Sequence, residues 1–576
     1  MNYSFAEIKK NLKKDFTGLK EIRIAVLSDS SSQLLCQSIK GYAFTQQLNV
    51  NIWEAEYNSI RHTIIDEDSG LYEFKPEFVI IFQSSKKLLN GFYSQPFPER
   101  ATFADEHLQM INNLVDTINN RIACNIIYIN FPEINDSVFG NYNNKTNLSF
   151  TYQLRKINFE LMNLAQRKAN FHICDLCALQ SVHGSLNMFK PQLYINTDNV
   201  LDIDALPYLA KCITDMLLAF SGKFKKCLVL DLDNTLWGGI IGDDGIENIE
   251  IGELGIGKAF TEFQKWIKQL KERGIILAVS SKNDEKIAKE PFEKHPDMVL
   301  KLEDFAVFAA NWENKADNIR YIQSVLNIGY DSMVFFDDNP FERELVKKFI
   351  PEITVPDLPE DPADYLPFLY SQNIFETISF TNEDVARTKL YREEADRTIL
   401  KRSFVNEAEF LKSLEMTALV KQVDKFSLPR AAQLSQRSNQ FNLRTVRYTE
   451  EQMRAISAAN DKFALTISLK DKFGDYGMVG LTILEKMNNS DLFINTWIMS
   501  CRVLKRGVED FMMEQLVNIA RENGYTSLIG EYIPTPKNNM VKDHYKNLGF
   551  AAQESLFKLS IYDYVPKVTH IKKDSD

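Results

Sequence analysis

The sequence has no long apolar run. No stretch approaches the roughly 20 residues that a helix needs to cross a bilayer. Met1 to Lys20 mixes charges with scattered apolar residues instead of forming the apolar core of a signal peptide. Internal repeats and low-complexity segments are missing too. We therefore expect no membrane partner and a cytoplasmic location.

The sequence has few cysteines, and its acidic residues outnumber its basic ones. Seven cysteines scattered over 576 residues are not the dense pattern of a disulfide-stabilised protein, so a reducing compartment is expected. Cys174 and Cys177 form a lone CxxC pair, which we interpret as buried thiols rather than a metal or redox site. The net charge of −11 argues against broad binding of nucleic acid, and an anionic ligand would need a local basic pocket.

The length and composition are typical of a large globular protein. With 576 residues, 44% of them hydrophobic, the chain can form two to four domains with separate cores. Up to Pro356, strand-like runs alternate with helical stretches, which indicates parallel α/β sheets. The predicted strands are Ile22–Leu27, Phe78–Phe82, Asn125–Ile129, Cys227–Leu230, Ile275–Val279, Met333–Phe336, Phe463–Ser468 and Leu492–Met499, and two well-marked helices are Ala259–Arg273 and Glu509–Asn523.

Prolines suggest where the middle of the chain is divided. Five prolines between Pro351 and Pro367 are expected to break regular structure at a domain boundary. A charged helix is expected from Asn382 to Lys401, and a disordered tail from Lys572. The predicted division is 1–221, an α/β domain; 224–356, a Rossmann-like domain; 357–410, a proline-rich linker and helix; 411–565, an α+β domain; and 566–576, a tail.

Acidic side chains follow the apolar run at residues 227–230. In the stretch KKCLVLDLDNTLWGG, Asp231 and Asp233 point to the same side, because side chains alternate along an extended chain. Ligands of parallel α/β sheets bind beyond the carboxyl ends of the strands. The other polar groups expected at this edge are Ser280, Ser281, Lys282 and Asn283 after the second predicted strand, Asp337 and Asp338 after the third, and Lys315 on a loop before a helix.

These residue types suit phosphoryl transfer. Clustered carboxylates repel one another unless a cation neutralises them, and a set of oxygen ligands suits Mg²⁺. With Mg²⁺ and a lysine present, one aspartate can attack a phosphorus atom while a second carboxyl group transfers the proton. An isolated DxD is more typical of a turn or a helix cap. Four matching pieces in this order favour a phosphoryl-transfer site.

The four pieces, DLDNTLWGG, SSKND, the Lys315 segment and FFDDNP, resemble the motifs of the haloacid dehalogenase (HAD) superfamily. The resemblance implies that Asp231 is the nucleophile and Asp233 the general acid and base. It also implies a Mg²⁺ site, whose residues would be Asp231, Asp233, Asp337 and Asp338.

The same resemblance assigns the phosphoryl oxygens to Ser281 and Lys315. Ser281 is preferred over Ser280 because it directly precedes the basic Lys282, as in similar magnesium-dependent phosphatases. Ser280, Lys282 and Asn283 are candidate substrate contacts.

A more specific similarity runs from Phe224 to Phe550. The stretches LDLDNTLWGGIIGDDG, LSQRSNQFNLRTVRYT and LKDKFGDYGMVG resemble the FkbH-like branch of the superfamily. Its members are associated with loading a glyceryl unit from a phosphorylated three-carbon acid onto the phosphopantetheine arm of an acyl carrier protein. In acyl-loading members a cysteine precedes the Ser-Lys-Asn element, whereas this chain has Ser280. A hydroxyl is a poorer nucleophile and leaving group than a thiolate, so the sequence favours plain phosphate release.

The C-terminal region resembles the acyl-CoA N-acyltransferase (GNAT) fold. In that fold a strand, a turn and a helix N-terminus bind pyrophosphate through backbone N–H groups. The corresponding piece is CRVLKRGVEDF, in which Arg502, Arg506 and Gly507 are candidates for binding the phosphate of CoA or of a pantetheine arm. It has one glycine only, and Glu509 stands where a small residue is expected. Acyl-CoA chemistry, binding of a pantetheine arm and a docking role stay open, as does acyl transfer to Cys501.

The N-terminal stretch IAVLSDSSS resembles the first block of SGNH hydrolases, with Ser30 at the nucleophile position. Ser28 replaces the usual glycine, Asp175 has no histidine at the expected spacing, and His183 lies too far along the chain. We expect an inactive scaffold, because catalysis needs a base within hydrogen-bond reach of Ser30.

The sequence thus predicts a multidomain α/β protein. A central Rossmann-like HAD domain with a minimal cap is flanked by an SGNH-like α/β domain and a GNAT-like α+β domain. The expected function is a Mg²⁺-dependent phosphatase acting through an aspartyl-phosphate on a small phosphorylated metabolite, since the regions after Gly239 and Asp284 are too short for a large cap. The alternatives are an acyl transferase that loads a phosphoglycerate-derived unit, with an acyl carrier protein or CoA as partner, and a noncatalytic scaffold.

Overall fold

The computed structural model describes residues 3–381, 384, 390–393, 397, 400, 404 and 406–574. The chain forms two compact units, Met1–Leu217 and Leu218–Asp576. The charged helix expected from Asn382 to Lys401 lies largely outside the described residues. No helix among those described is both long and apolar enough to span a bilayer. The finer division of the second unit into domains stays a prediction.

A parallel sheet with the strand order β2-β1-β3-β4-β5 forms the centre of the first unit. Its strands are β1 (Lys20–Ser28), β2 (Leu48–Glu54), β3 (Phe78–Phe82), β4 (Asn125–Ile129) and β5 (Phe171–Cys174). Every residue of β3 is buried, as expected for an inner strand covered on both faces. Strand β2 lies at the edge, where polar and apolar residues alternate in LNVNIWE, and its sequence gives no continuous apolar run.

Helices connect the strands of the first unit. The two longest, Phe103–Arg121 and Phe150–Arg167, each bury an apolar side in the same hydrophobic cluster. The other α-helices are Phe5–Asn11, Gln33–Thr45, Ile60–Ile65, Gly70–Phe74, Ser85–Ser94, Leu176–His183, Ser185–Met188, Pro191–Thr197 and Leu206–Phe220, in which the unit ends.

The second unit begins with a smaller parallel sheet in the order β8-β7-β6-β9. Its strands are β6 (Cys227–Leu230), β7 (Ile276–Ser281), β8 (Phe305–Ala310) and β9 (Met333–Phe336). The neighbouring helices are Ile241–Asp244, Gly257–Glu272, Glu285–Lys294, Lys315–Leu326 and Pro340–Phe349. Strands β6, β7 and β9 pair in parallel, so their carboxyl ends meet at one edge of the sheet.

Residues 357–375 pack against this smaller sheet. Leu358, Tyr365 and Phe375 belong to the same apolar cluster as Leu228 of β6. Pro367 lies in the first turn of the helix Tyr365–Gln372, where its missing N–H costs no helical hydrogen bond. The segment that the prolines mark as a linker therefore contributes to the core beside β6.

A mixed sheet in the order β15-β16-β14-β13-β12-β11-β10-β17 completes the second unit. Its strands are β10 (Thr417–Gln422), β11 (Lys462–Asp471), β12 (Gly474–Lys486), β13 (Asp491–Met499), β14 (Ser527–Glu531), β15 (Ala551–Gln553), β16 (Leu556–Ser560) and β17 (Lys572–Lys573). Its helices are Glu407–Ser413, Leu428–Arg437, Glu450–Ala458, Val508–Glu522 and His544–Asn547. The predicted unit of a strand, a turn and a helix is present as β13, residues 500–507 and Val508–Glu522.

Two features of the mixed sheet were not expected from the sequence. Strands β13 and β14 pair in parallel only from Asp491 to Ile494. Further along β13, Ile498 forms an isolated antiparallel β-bridge with Asn442 instead. Lys572–Lys573 pairs with β10, so the prediction of disorder from Lys572 is wrong for these two residues, whose backbone completes a sheet edge.

Candidate active site

The aspartates expected at the carboxyl edge of the smaller sheet converge on one lysine. Asp231 directly follows β6, Asp337 directly follows β9, and Lys315 is the first residue of the helix Lys315–Leu326. The Lys315 Nζ lies 2.5 Å from Asp231 Oδ2 and 2.6 Å from Asp337 Oδ2. All three residues are buried, with Asp337 fully inaccessible to solvent. This contact brings together three of the four predicted motifs.

Asp338 adds a third carboxylate to the group. One oxygen from each of Asp231, Asp337 and Asp338 lies within 4.8 Å of the others. Three carboxylates against one lysine leave excess negative charge in a buried place, which is costly without a further cation. The oxygen-only donor set and its compactness fit a hard divalent ion such as Mg²⁺.

The pKa shifts in the cluster agree with this charge imbalance. Burial raises the pKa of Asp337 and of Asp338, and the neighbouring Asp231 raises both further. Burial alone would lower the pKa of Lys315, but the carboxylates of Asp231 and Asp337 outweigh it and the pKa is raised. Lys315 is therefore held as a cation, while two of the carboxyl groups are less acidic than usual.

The side chain of Asp233 lies apart from the three clustered carboxylates. Its Oδ1 accepts hydrogen bonds from Trp237 Nε1 and Ile241 N, both at 3.0 Å, and its Oδ2 accepts one from Asn283 Nδ2 at 2.9 Å. Burial raises the pKa of Asp233, the two donors to Oδ1 lower it in part, and the net shift is upward. Asp233 is thus positioned by three donors and holds a proton more readily than an ordinary aspartate does.

The turn after Asp233 is shaped by its own residues. Asn234 adopts a positive φ of 54°, which asparagine tolerates, and its Oδ1 accepts a hydrogen bond from Gly239 N at 2.9 Å. The Tyr365 hydroxyl donates to the Asn234 carbonyl at 3.3 Å. This anchors the turn to the segment that follows the smaller sheet.

The serines and the lysine at the end of β7 occupy different positions. Ser281 is buried at the last residue of the strand, and Ser280 is fully buried with an Oγ that has no hydrogen-bond partner among the described residues. The Lys282 Nζ donates to Glu342 Oε1 at 2.6 Å. The structure therefore joins Asn283 directly to Asp233, and it ties Lys282 to the start of the helix Pro340–Phe349.

Two supporting residues have no distinct signal in the sequence. The Arg343 Nη1 donates to the carbonyl oxygens of Asp337, at 2.9 Å, and Asp338, at 2.6 Å. The Thr235 Oγ1 lies 3.3 Å from Asp338 Oδ1 and accepts from Asp338 N at 3.1 Å. Both residues stabilise the turn after β9. The partner of Thr235 lies far along the chain, and the partners of Arg343 lie in the turn just before it, so a pattern of residue types does not reveal either contact.

No cap domain covers this edge among the described residues. Between Gly239 and the helix Gly257–Glu272 the chain forms only the short helix Ile241–Asp244. Exposed apolar side chains lie on the loops after β6 and β8, namely Ile240 (45% exposed) and Trp312 (77%), and Phe341 (68%) is exposed in the first turn of the helix Pro340–Phe349.

The candidates in the C-terminal region lie on a different sheet. Gly507 has a positive φ of 75° and caps the helix Val508–Glu522. Arg506 is buried, donates to the Tyr476 hydroxyl and lies 3.5 Å from Asp471 Oδ2. Arg502 is also buried, and its Nε donates to Ser500 Oγ at 3.3 Å. The phosphate-binding roles of the three residues stay predictions, and the Cys501 side chain lies outside what the structure describes.

In the first unit, Ser30 has no histidine partner among the described contacts. Its Oγ lies 3.2 Å from Ser28 Oγ. Asp175 accepts a hydrogen bond from Ala178 N, at the position where a histidine would be expected, and His183 stacks on Tyr208 with ring centroids 3.7 Å apart. The structure does not assemble a triad at Ser30 in the part that it describes.

Comparisons with known proteins identify the family. A family model described as FkbH, N-terminal domain, matches residues 23–218. The N-terminal part of the protein BF1531 from Bacteroides fragilis, described as containing a phosphatase domain complexed with Mg, is 52% identical. It covers 66% of this chain and 100% of its own, with a TM-score of 0.64. No curated protein matches the chain.

Two further structures match the C-terminal region at low similarity. The ribosomal-protein-S18-alanine N-acetyltransferase from Escherichia coli is 14% identical, covers 25% of this chain and 94% of its own, and has a TM-score of 0.20. Ard1 from Thermoplasma volcanium is 15% identical, covers 25% and 95%, and also has a TM-score of 0.20. Likenesses this low support no conclusion about activity. The Bacteroides relative, matched over its whole length, is decisive: the chain belongs to the FkbH-like branch of the haloacid dehalogenase superfamily.

Proposed function

We propose that the protein is a Mg²⁺-dependent phosphatase whose chemistry takes place at the carboxyl edge of the smaller sheet. The observation that carries the proposal is the contact of Lys315 with Asp231 and Asp337, beside a third carboxylate, Asp338. The Bacteroides relative, described as a phosphatase domain complexed with Mg, supports the choice of metal and reaction.

The residues have separate roles in the proposed reaction. An oxygen of Asp231 attacks the phosphorus atom, the bond from phosphorus to the ester oxygen breaks, and that oxygen takes the proton of Asp233. A water molecule then attacks the aspartyl-phosphate, gives its proton to Asp233, and releases phosphate and the free Asp231 carboxylate. Asp231, Asp337 and Asp338 would hold Mg²⁺, which would neutralise the charge that two anions bring together. Lys315 and Ser281 would hold the phosphoryl oxygens.

The substrate is proposed to be a small phosphorylated carboxylic acid or sugar-like metabolite. The lack of a cap domain among the described residues supports access from solution, and the exposed Trp312 and Phe341 lie after β8 and β9 on the path that a substrate would take. A cytoplasmic location is proposed with it, in keeping with the sparse cysteines.

An acyl-loading reaction on a carrier protein is the second candidate. An edge without a cap domain among the described residues would admit a carrier's arm, which favours this reaction. Ser280, at the position where acyl-loading members have cysteine, is fully buried, so a donor could not reach its hydroxyl without a rearrangement. A noncatalytic scaffold is disfavoured, because two buried carboxylates and a partly buried third beside a single lysine are costly to keep without a ligand.

Phosphate release is the measurement that tests the proposal. The purified chain is assayed with and without Mg²⁺ on phosphorylated three-carbon acids and sugars, and a phosphopantetheinylated carrier protein is added to half of the samples. Release that needs Mg²⁺ and ignores the carrier supports a phosphatase. Release that needs the carrier, together with a gain in the carrier's mass, supports acyl loading instead. No release from any substrate contradicts both reactions.

A further inference from the structure

Two thiols of the first unit lie against each other. The Cys174 Sγ, at the end of β5, lies 3.1 Å from the Cys212 Sγ, which is 38 positions further along on the helix Leu206–Phe220. Neither cysteine forms a disulfide in the structure. A disulfide bond is about 2.05 Å long, so the two sulfur atoms would have to approach by about 1 Å to form one. In the sequence Cys174 has a nearer neighbour, Cys177, and nothing there indicates Cys212 as its partner.

The two cysteines of the CxxC pair lie on different faces of the first sheet. Phe171 and Cys174 are three residues apart on β5, so their side chains point to opposite faces of the strand. The Cys177 Sγ lies 3.5 Å from Asn158 Nδ2, on the helix Phe150–Arg167, and that helix packs in the same apolar cluster as Phe171. Cys177 therefore lies on the Phe171 side of the sheet, and Cys174 faces the helix that carries Cys212.

The two thiols in contact differ in their access to solvent. Cys174 is fully buried, whereas Cys212 is partly exposed. An oxidant from solution can therefore reach Cys212 but not Cys174. A partly exposed thiol beside a buried one is the arrangement in which the first reacts with an oxidant and the second resolves the product.

We propose that Cys174 and Cys212 are a site of reversible oxidation, at which a small-molecule disulfide converts the two thiols into an intramolecular disulfide. The Cys212 thiolate attacks one sulfur of the small disulfide, whose S–S bond breaks and releases one thiolate. The Cys174 thiolate then attacks the Cys212 Sγ and releases the second thiolate. The two cysteines lose two electrons and two protons. The small disulfide takes up both electrons, and the two thiolates that it releases take up the protons.

The new bond would join an edge strand of the first sheet to the last helix of the unit. Strand β5 lies at the end of the strand order, and the bond would close a loop over the 38 positions between the two cysteines. Loop closure restricts the unfolded chain, so oxidation should slow the local opening of β5 and of the helix. A reducing compartment keeps both groups as thiols, and the bond would form when the supply of oxidised small thiols rises.

The oxidation site is independent of the proposed phosphatase. Both cysteines lie in the first unit, whereas the clustered aspartates lie in the second. Loss of phosphate release would therefore leave the proposal standing, and a failure to form the disulfide would leave the phosphatase standing.

Non-reducing peptide mapping of the full-length protein tests the proposal. The reduced protein is incubated with glutathione disulfide, the remaining thiols are alkylated, and the tryptic peptides are identified by mass spectrometry. We expect the peptides that contain Cys174 and Cys212 to be joined, with the mass of two hydrogen atoms lost, at least about tenfold more often than any other pair. Dithiothreitol should separate them again. In urea, where the fold is lost, the preference for this pair should disappear.

Cys177 supplies the matched control, because no tryptic site separates it from Cys174. Cys177→Ala should keep the cross-link, whereas Cys174→Ala and Cys212→Ala should lose it. Cys174→Ala should instead hold a glutathione adduct at Cys212, since the resolving thiol is gone. Circular dichroism of the reduced variants checks that each is folded. A cross-link that persists in Cys212→Ala, or wild-type protein that carries only glutathione adducts, would overturn the proposal.

Hydrogen exchange measures whether the bond acts on the fold. In the oxidised wild type, the amides of β5 and of the helix Leu206–Phe220 should exchange at least about tenfold more slowly than in the reduced protein. Cys212→Ala should exchange at the same rate after both treatments. Equal exchange in the oxidised and reduced wild type would overturn the proposed effect on the first unit.

Discussion

Strand β1 of the first unit and strand β6 of the second are both followed by an aspartate, but the two aspartates have different surroundings. Asp29 accepts hydrogen bonds from Ser84 N at 2.9 and 3.1 Å, and the nearby Lys87 pairs with Asp198 at 3.0 Å. Each charged group there has a partner from the same unit. The Ser30 Oγ lies 3.2 Å from Ser28 Oγ, and a side-chain hydrogen bond from Ser30 to Asp29 partly offsets the rise that burial causes in the pKa of Asp29.

At β6 the partners are too few for the charges. Asp231, Asp337 and Asp338 share Lys315, and burial with mutual repulsion raises the pKa of the last two carboxyl groups. The comparison shows that a polar residue at the end of a parallel strand is not enough for chemistry. A reactive site of this kind needs like charges that lie close together and that a bound ligand must neutralise.

The largest expected effect comes from removing the proposed nucleophile. Asp231→Asn should lower phosphate release by at least about 10³-fold, because the amide cannot form the aspartyl-phosphate. Asp563→Asn, at an exposed position, is the matched control and should release phosphate at the wild-type rate. Phosphate release and circular dichroism are measured for both. Turnover retained by folded Asp231→Asn would place the reaction elsewhere.

Removing the shared lysine should reveal the charge imbalance directly. Lys315→Met leaves buried carboxylates unpaired, so the free energy of unfolding of the second unit should fall by about 3–5 kcal/mol without Mg²⁺. Added Mg²⁺ should restore part of this loss by binding the same carboxylates.

Lys289→Met is the control for that experiment. Lys289 forms an ion pair with Glu285 on the surface, and such pairs contribute about 0–1 kcal/mol. Urea unfolding is measured for both variants, with and without Mg²⁺. If the two variants lose the same stability, the carboxylates at β6 are not dependent on Lys315.

The proton-transfer role of Asp233 predicts a pH effect. Asp233 must be protonated to act as the acid, so kcat/KM should fall as the pH rises through its pKa, which burial raises. Trp237→Phe removes a donor that favours the ionised form. The pKa should rise further, and the alkaline fall of kcat/KM should move to higher pH by roughly one unit.

Trp266→Phe controls for the change of size, since Trp266 packs against the same apolar cluster and makes no hydrogen bond to Asp233. The pH profiles of kcat/KM are compared for the wild type and both variants. An alkaline fall that stays in place in Trp237→Phe, or that moves equally in both variants, would contradict the role of Asp233 as the acid.

The strands that could be predicted from the sequence are those buried on both faces. Phe78–Phe82, Asn125–Ile129 and Cys227–Leu230 have the predicted bounds, because an inner strand of a parallel sheet is a continuous apolar run. Met333–Phe336 lies at the edge of its sheet but is also fully buried, and it has the predicted bounds as well. Edge strands such as β2 and β17 alternate or are charged, and their pairing depends on partners far along the chain. The packing of residues 357–375 against β6 also depends on partners far along the chain, so it could not be predicted from the sequence.

The candidate site shows a similar limit. Spacing and residue type pointed to Asp231, Lys315 and Asp337, and the structure brings these together. They did not show that Asp233 lies apart from the three carboxylates and is held by Asn283, 50 positions further along. Which direction a side chain takes at a turn depends on donors from other segments, and the residues of the turn do not encode it.

The smallest expected effect comes from the serine in the first unit. Ser30→Ala should leave phosphate release within about twofold of the wild type, because Ser30 belongs to the other unit and its side chain hydrogen-bonds Ser28 and Asp29 rather than a residue of the proposed phosphatase site. Hydrolysis of short acyl esters is measured beside phosphate release, with Ser31→Ala as the control. Loss of ester hydrolysis in Ser30→Ala alone would show that a base reaches Ser30 after all. Asp29 would then orient a working nucleophile. The strand ends at β1 and β6 would both be active sites, and they would differ only in the reaction that each carries out.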